Sequence, residues 1–373
     1  MGDMIKETRI HTSQRHWVLI ATALLLSCDP LVNQFKPVEE AVIYTAKHQQ
    51  APPNNIDKIT VMTWNIRFAA GRRTPWFGDS CGDRVILSEK EILSTLEGLA
   101  AKINDIKPDI LLLQEVDVES KRSGYIDQVQ WLLDHTYFSY GAYASIWQAQ
   151  YIPSDGLGRM NMGNAILSRW KIVEAERIQL PQRGDQDALT KYFYLRRNIL
   201  KTRIALPGVD SFYVVNTHAE AFSTDDTKKR QIERLENELS KLAGAYIIFG
   251  GDFNLLPPGS DSTDFCMEDK CSGESFHRAK DNPQHKEGSN YTPEMNWLRG
   301  LYDRYFCSVP MKDYLIDQPR HFTHATDPNA TWDRKIDYLF TNHRWLPNTS
   351  VTHQDITDLS DHVPVSAQWE VPR

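Results

Sequence analysis

Short apolar runs mixed with a few amphipathic stretches predict an α/β (α+β) chain built as two packed sheets with helices outside. Three observations carry this. Tyr246-Ile247-Ile248-Phe249 is an unbroken apolar run ahead of Gly250-Gly251, and Ile110-Leu111-Leu112-Leu113 is a second; both read as strands buried on two faces. Ile92, Leu96, Leu99 and Ile103, and later Ile232, Leu235, Leu239 and Leu242, recur at helical spacing. A hydrophobic content of 41% with 10% aromatics supplies a sizeable core and argues against disorder.

Lys6, Arg9 and Arg15 precede the apolar run Trp17 to Leu26, which is too short to span a bilayer and reads as a targeting segment. Leu25-Leu26-Ser27-Cys28 resembles the lipobox of bacterial lipoproteins. It implies a signal peptide over residues 1–27, a lipid on Cys28 and an exported, membrane-anchored protein. Residues 28–57, with Pro30, Pro37, Pro52 and Pro53, read as a tether, and one domain follows over 58–373. Four further cysteines, an even number in an exported chain, favour disulfides over a zinc site, whose ligand spacing they fit poorly. Cys266 with Cys271 is the easiest loop to close, leaving Cys81 with Cys307. The net charge of −7 contains no basic block, so tight nonspecific capture of duplex nucleic acid is not indicated.

Along the domain, Lys58 to Ile66 is a β-type run and 69–87 a Gly- and Pro-punctuated loop. Ser88 opens a helix with Glu91 completing a capping box, and Pro108 stops it. A second helix is expected near 126–134 and a third over 225–243. Strands are expected near 140–147, 164–168, 171–180, 198–206, 211–217, 335–341 and 364–371. Residues 255–330 read as a long polar segment with a short helix near 294–302.

Polar residues stand where these strands end: Trp64-Asn65, Gln114-Glu115, Asn216-Thr217-His218, Asp252-Phe253-Asn254 and Ser360-Asp361-His362. Asp252 and Asn254, two apart in an extended segment, share a face, where a carboxylate suits a hard cation and an amide donates to phosphate without repelling it. Asp337 sits inside an apolar strand, where an unpaired carboxylate costs several kcal/mol.

In this order, over about residues 58–371, the segments resemble the endonuclease/exonuclease/phosphatase superfamily. The resemblance implies a four-layer αββα sandwich of two mixed sheets flanked by helices, and hydrolysis of a phosphate ester by in-line attack of water with Mg²⁺ or Mn²⁺. It implies Glu115 as principal metal ligand, Asn65 helping to hold metal or phosphate, and Asp361 approaching a second metal position. Asp252 would orient or deprotonate the water, with His362 as the competing base. Asn254 and His218 would stabilise developing charge, and Asp337 would fix the His362 tautomer. Arg67 stands where several nucleases of the superfamily carry an acidic residue, and is either a phosphate contact or a surface residue. Arg122, Asn164 and Arg197 are candidates for the phosphate approach. Trp76-Phe77, Trp147, Tyr151 and Trp297 form a rim or pack in the interior. The acidic balance and tether favour a phospholipid headgroup or small phosphodiester, with an extracellular nuclease acting on DNA or RNA as the alternative. A non-catalytic binding module is opposed by the joint presence of Glu115, Asp252 and His362.

Overall fold

The computed structural model describes residues 31–53, 56–76, 81–153, 156–272 and 286–372. Cys28 and Phe77 lie outside them. Two seven-stranded mixed sheets face one another. From edge to edge, one runs Val38–Glu40, Ile172–Gln179, Asn198–Ile204, Phe212–His218, Tyr246–Asp252, Asp337–Thr341 and Phe306–Cys307. The other runs Val351–Thr352, Val365–Glu370, Lys58–Asn65, Ile110–Asp117, Gly158–Ser168, Tyr140–Ile152 and Val42–Thr45.

The period-two alternation of each strand sorts its apolar residues between two layers. Val61, Ile110, Leu112 and Ile166 meet Leu200, Phe212, Val214 and Ile248 in the core between the sheets. Their neighbours Met62, Trp64, Leu111 and Leu113 face outward, against Ile92, Leu96, Leu99 and Ile103 of helix Glu89–Ile106 and Leu132 of helix Gln128–His135. On the far side, Val215, Ile247 and Phe249 pack on Ile232, Leu235 and Leu239 of helix Thr227–Ser240. The layers are therefore helix, sheet, sheet, helix, as expected. Helix Glu89–Ile106 opens with the capping box: Glu91 N donates to Ser88 Oγ, and Ser88 N to Glu91 Oε2 at 2.8 Å.

Polar side chains stitch the sheets together beneath one end of the sandwich. Gln114 Nε2 donates to Asn216 Oδ1 at 2.7 Å and to Thr63 Oγ1 at 3.1 Å, while Asn216 Nδ2 donates to the carbonyls of Leu113 and Ala165. Asn164 Nδ2 reaches Asn198 Oδ1 at 3.2 Å. The bonds from Gln114 to Asn216, from Asn216 to Leu113 and Ala165, and from Asn164 to Asn198 cross between the sheets and help fix their relative register.

Two expectations change here. The segment assigned to a tether contributes an edge strand to each sheet: Val38–Glu40 pairs with Ile172–Gln179, and Val42–Thr45 with Tyr140–Ile152. Among the described residues a disulfide joins Cys81 to Cys271, with Cα atoms 5.4 Å apart, while Cys266 and Cys307 are buried outside it. Sequence proximity favoured Cys266 with Cys271, but the fold brings the 69–87 loop to the far end of that segment.

Candidate active site

Cross-strand register assembles the polar residues at one end of the sandwich. Asp252 pairs with His218 across the parallel neighbour and with Asp337 across the antiparallel one, so three strands deliver their functional residues at one level. Gly250 and Gly251 make this possible from within the strand, rather than as a turn towards a ligand. A Cβ on Gly251, whose φ is +130°, would stand 1.9 Å from the Thr217 carbonyl oxygen, and one on Gly250 2.2 Å from that of Tyr338. In the facing sheet, Asn65 ends its strand beside Gln114. Glu115 sits at a β-bulge between Leu113 and Val116 with φ +55°, which turns its carboxylate out of an otherwise buried strand.

The hub is the Asp252 carboxylate, 2% exposed. Its Oδ2 accepts from Asn65 Nδ2 at 3.1 Å and lies 3.3 Å from His218 Nε2 and 3.7 Å from His362 Nε2. Its Oδ1 accepts from the Asn254 amide at 2.9 Å. His362 Nδ1 donates to Asp337 Oδ2 at 2.9 Å, which fixes the tautomer and aims Nε2 at the cleft. The His362 backbone is pinned by Trp64 Nε1, which donates to its carbonyl at 3.0 Å. Glu115, 23% exposed, lies 4.0 Å from His218 Nε2 and accepts from Asn65 Nδ2 at 3.3 Å.

Charge follows from these surroundings. Burial pushes the Asp252 carboxyl up to about 7, with the His362 charge opposing and Asp337 reinforcing the shift. Burial works against a charged His362, but Asp337 and Asp252 outweigh it and raise the imidazole well above the histidine range. Burial, then Arg197 and His362, hold His218 well below that range, which favours the neutral imidazole beside Asp252.

Glu115, His218, Asp252, Asn254, Asp361 and His362 all line one cleft with a volume of about 250 Å³. Arg197 lines it too. Its guanidinium is buried, its Nε and Nη1 have no hydrogen-bond partner among the described residues, and Glu220 stands 3.7 Å away. An anion in the cleft would meet that need.

Other candidates are placed elsewhere. Arg67 is neither a phosphate contact nor on the surface: it is 1% exposed, its Nη1 donates to the carbonyls of Gly71 and Arg72, and its Nε lies 3.4 Å from Asp361. Arg122 is buried over Phe68 and spends Nε and Nη2 on Asp117 at 2.8 and 2.9 Å. Asn164 belongs to the bonds between the sheets. Asn65 turns its amide nitrogen, not its oxygen, toward the carboxylates; Oδ1 accepts from the Arg67 amide at 3.0 Å. It holds Glu115 and Asp252 in place rather than offering a ligand oxygen. Trp76 is buried against Phe68, Trp147 donates to the Phe193 carbonyl, Trp297 packs beside helix Thr227–Ser240, and Tyr151 is exposed; the aromatics that line the cleft are Phe222 and Tyr291.

Sequence reasoning missed three contributors. Ser360 Oγ donates to the Asn65 carbonyl at 2.7 Å and joins the two motifs. Lys228 is buried, paired with Glu294 at 2.8 Å, and donates to the Asn254 carbonyl. Its place one turn before Ile232 on the apolar helix face was the available signal. His324 lines the cleft from the long polar segment, where a lone histidine carries no signal at all.

Carboxylates of Glu115, Asp252 and Asp361 line the cleft, and Asp252, Asp337 and His362 bring ligand atoms within 4.8 Å of one another, a donor set rich in the oxygens that a hard divalent cation takes. Solved structures share the fold. An endonuclease/exonuclease/phosphatase from Beutenbergia cavernae DSM 12333 is 20% identical, with a TM-score of 0.56 over 85% of this chain and 72% of that one. A humanized D. rerio TDP2 is 15% identical, with a TM-score of 0.51 over 85% of this chain and 100% of that one. No curated protein sequence matches the chain. The model of the Endonuclease/Exonuclease/phosphatase family matches residues 62–362, from the strand that carries Asn65 to His362 itself, and the chain belongs to that family.

Proposed function

We propose that this protein is an exported, divalent-metal-dependent phosphoesterase that hydrolyses a small phosphodiester or phosphomonoester. The family's members are nucleases, phosphatases and phosphodiesterases. The observation that carries the reading is the Asp252 carboxylate held among Asn65, His218 and His362, with Asp337 behind the last.

A cation held by Glu115, with Asp361 beside it, would neutralise phosphate charge when bound. The chain's own groups divide the remaining work. Asp252, buried and raised towards neutral pH, accepts the proton of the attacking water. His362, charged at Nε2, faces the departing oxygen and can protonate it. Neutral His218 and the Arg197 guanidinium donate to the phosphate oxygens, in a position to strengthen as charge develops. Cys81 and Cys271 also border the cleft, so the cross-link helps bound it; a cleft of this size suits a compact phosphoester better than a duplex.

Asp252→Asn and His362→Ala are each expected to lower turnover of bis-p-nitrophenyl phosphate with Mn²⁺ at least ~10²-fold while circular dichroism stays unchanged. EDTA should abolish activity and Mg²⁺ or Mn²⁺ restore it. Rates indifferent to both substitutions and to chelation would refute the reading.

Export is supported by the basic and apolar N-terminal residues, the Leu25–Cys28 pattern and a disulfide suited to an oxidising compartment. Among the described residues, no helix is long and apolar enough to cross a membrane. Cys28→Ser is expected to release the protein from the membrane fraction; a variant that still sediments with membranes rules out lipid anchoring.

A further inference from the structure

Among the described residues, His324 is the one cleft imidazole without a part in the reaction above, and its surroundings are specific. Its Nδ1 lies 3.0 Å from the backbone carbonyl of Asp361. A carbonyl only accepts, so Nδ1 carries the proton and Nε2 keeps its lone pair. His362 is likewise anchored through Nδ1, to Asp337, with Nε2 on the cleft side 3.7 Å from Asp252 Oδ2. The two rings lie 4.4 Å apart. The Asp361 carboxylate lies beside them, with Ser360 Oγ 3.2 Å from its Oδ1 and Arg67 Nε 3.4 Å from its Oδ2. A ligand atom from each of His324, Asp361 and His362 lies within 4.8 Å of the others.

We infer that His324, Asp361 and His362 form a site for a borderline transition-metal dication such as Zn²⁺ that shares Asp361 and His362 with the reaction site, and that its occupation restrains hydrolysis. Two imidazoles with one carboxylate favour such an ion, whereas Mg²⁺ prefers oxygen donors and retained water. Both imidazoles are anchored through Nδ1 to a carbonyl or carboxylate, the arrangement that orients ligating histidines and raises their basicity. A metal held on His362 Nε2, the nitrogen left to the cleft by the Nδ1–Asp337 bond, takes that nitrogen away from the substrate. Only this inhibitory half rests on the role given to His362 above; metal binding itself is measured without substrate.

Equilibrium dialysis of the metal-stripped protein against Zn²⁺ in excess Mg²⁺ tests the site. Uptake of about one Zn²⁺ per chain is expected, weakened about 10²-fold in His324→Gln, whose amide can still donate to the Asp361 carbonyl. In the unaltered protein, Co²⁺ should shift the ring-proton resonances of His324 and His362 together, a readout that needs no variant to fold. No uptake in excess Mg²⁺, unchanged uptake in His324→Gln, or Co²⁺ shifts that spare either ring would overturn the site. Zn²⁺ bound as expected without slowing hydrolysis would overturn the inhibitory half.

Discussion

His362 holds a proton that its neighbours resist releasing. With Asp337 on one ring nitrogen and Asp252 facing the other, its folded value is pushed up to about 10, against an unfolded value of about 6.5. Its contribution to stability is therefore fully present below about pH 6.5 and is lost as pH rises through about 10. In the metal-free protein, the His362 ring-proton resonance should titrate far above ordinary histidines, and His362→Gln should flatten the alkaline fall in stability; a midpoint near that of free histidine would sink this account. The residues involved were legible in the sequence because Asp252 and His362 are conspicuous at strand ends and Asp337 is a carboxylate within an apolar run. Their partners were not. That Asn65 would present nitrogen rather than oxygen depends on the Arg67 amide, whose place is set by a left-handed turn through Arg67, Phe68 and Ala69.

Among the elements, the bulge at Glu115 and the amide bonds below it form one device. The bulge turns a carboxylate outward, and one residue earlier Gln114 turns inward to Asn216. Asn216→Leu keeps the branched shape but takes one acceptor from Gln114, which retains Thr63, and the side-chain donor from the carbonyls of Leu113 and Ala165. A loss of about 3 kcal/mol in urea unfolding is expected, since each buried orphan costs about 1–3 kcal/mol. A stability within about 0.5 kcal/mol of the parent would show that the sheets do not depend on this link. Strands and helices were readable from periodicity, which needs only local sequence. The bulge was not, because its extra residue shows only against the register of Gly158–Ser168. Asn164 and Arg122 failed as substrate candidates for a related reason. A polar residue bonded within the interior and one that meets a ligand look alike until the neighbouring layer is known.

For the molecule as a whole, the Cys81–Cys271 cross-link spans 190 residues. The short-loop argument for Cys266 with Cys271 was weak physically, because doubling a loop costs only about 0.6 kcal/mol; tertiary placement decides instead. Cys271→Ser should lower stability by about 2–4 kcal/mol. Non-reducing peptide maps should recover Cys81 with Cys271, and finding Cys266 bonded to Cys271 would contradict the architecture of the cleft rim. The four layers were foreseeable from the order of the elements, but the docking of residues 31–45 was not, since their short runs bury little until two sheet edges are in place. That docking bears on the proposed anchor. Gln150 N already donates to the Leu31 carbonyl at 2.8 Å. Only Asp29 and Pro30 would then separate a lipid on Cys28 from Leu31, a reach of at most roughly 10 Å. The enzyme would ride flush on the bilayer like a barnacle on a hull, and would encounter headgroups more often than anything diffusing past.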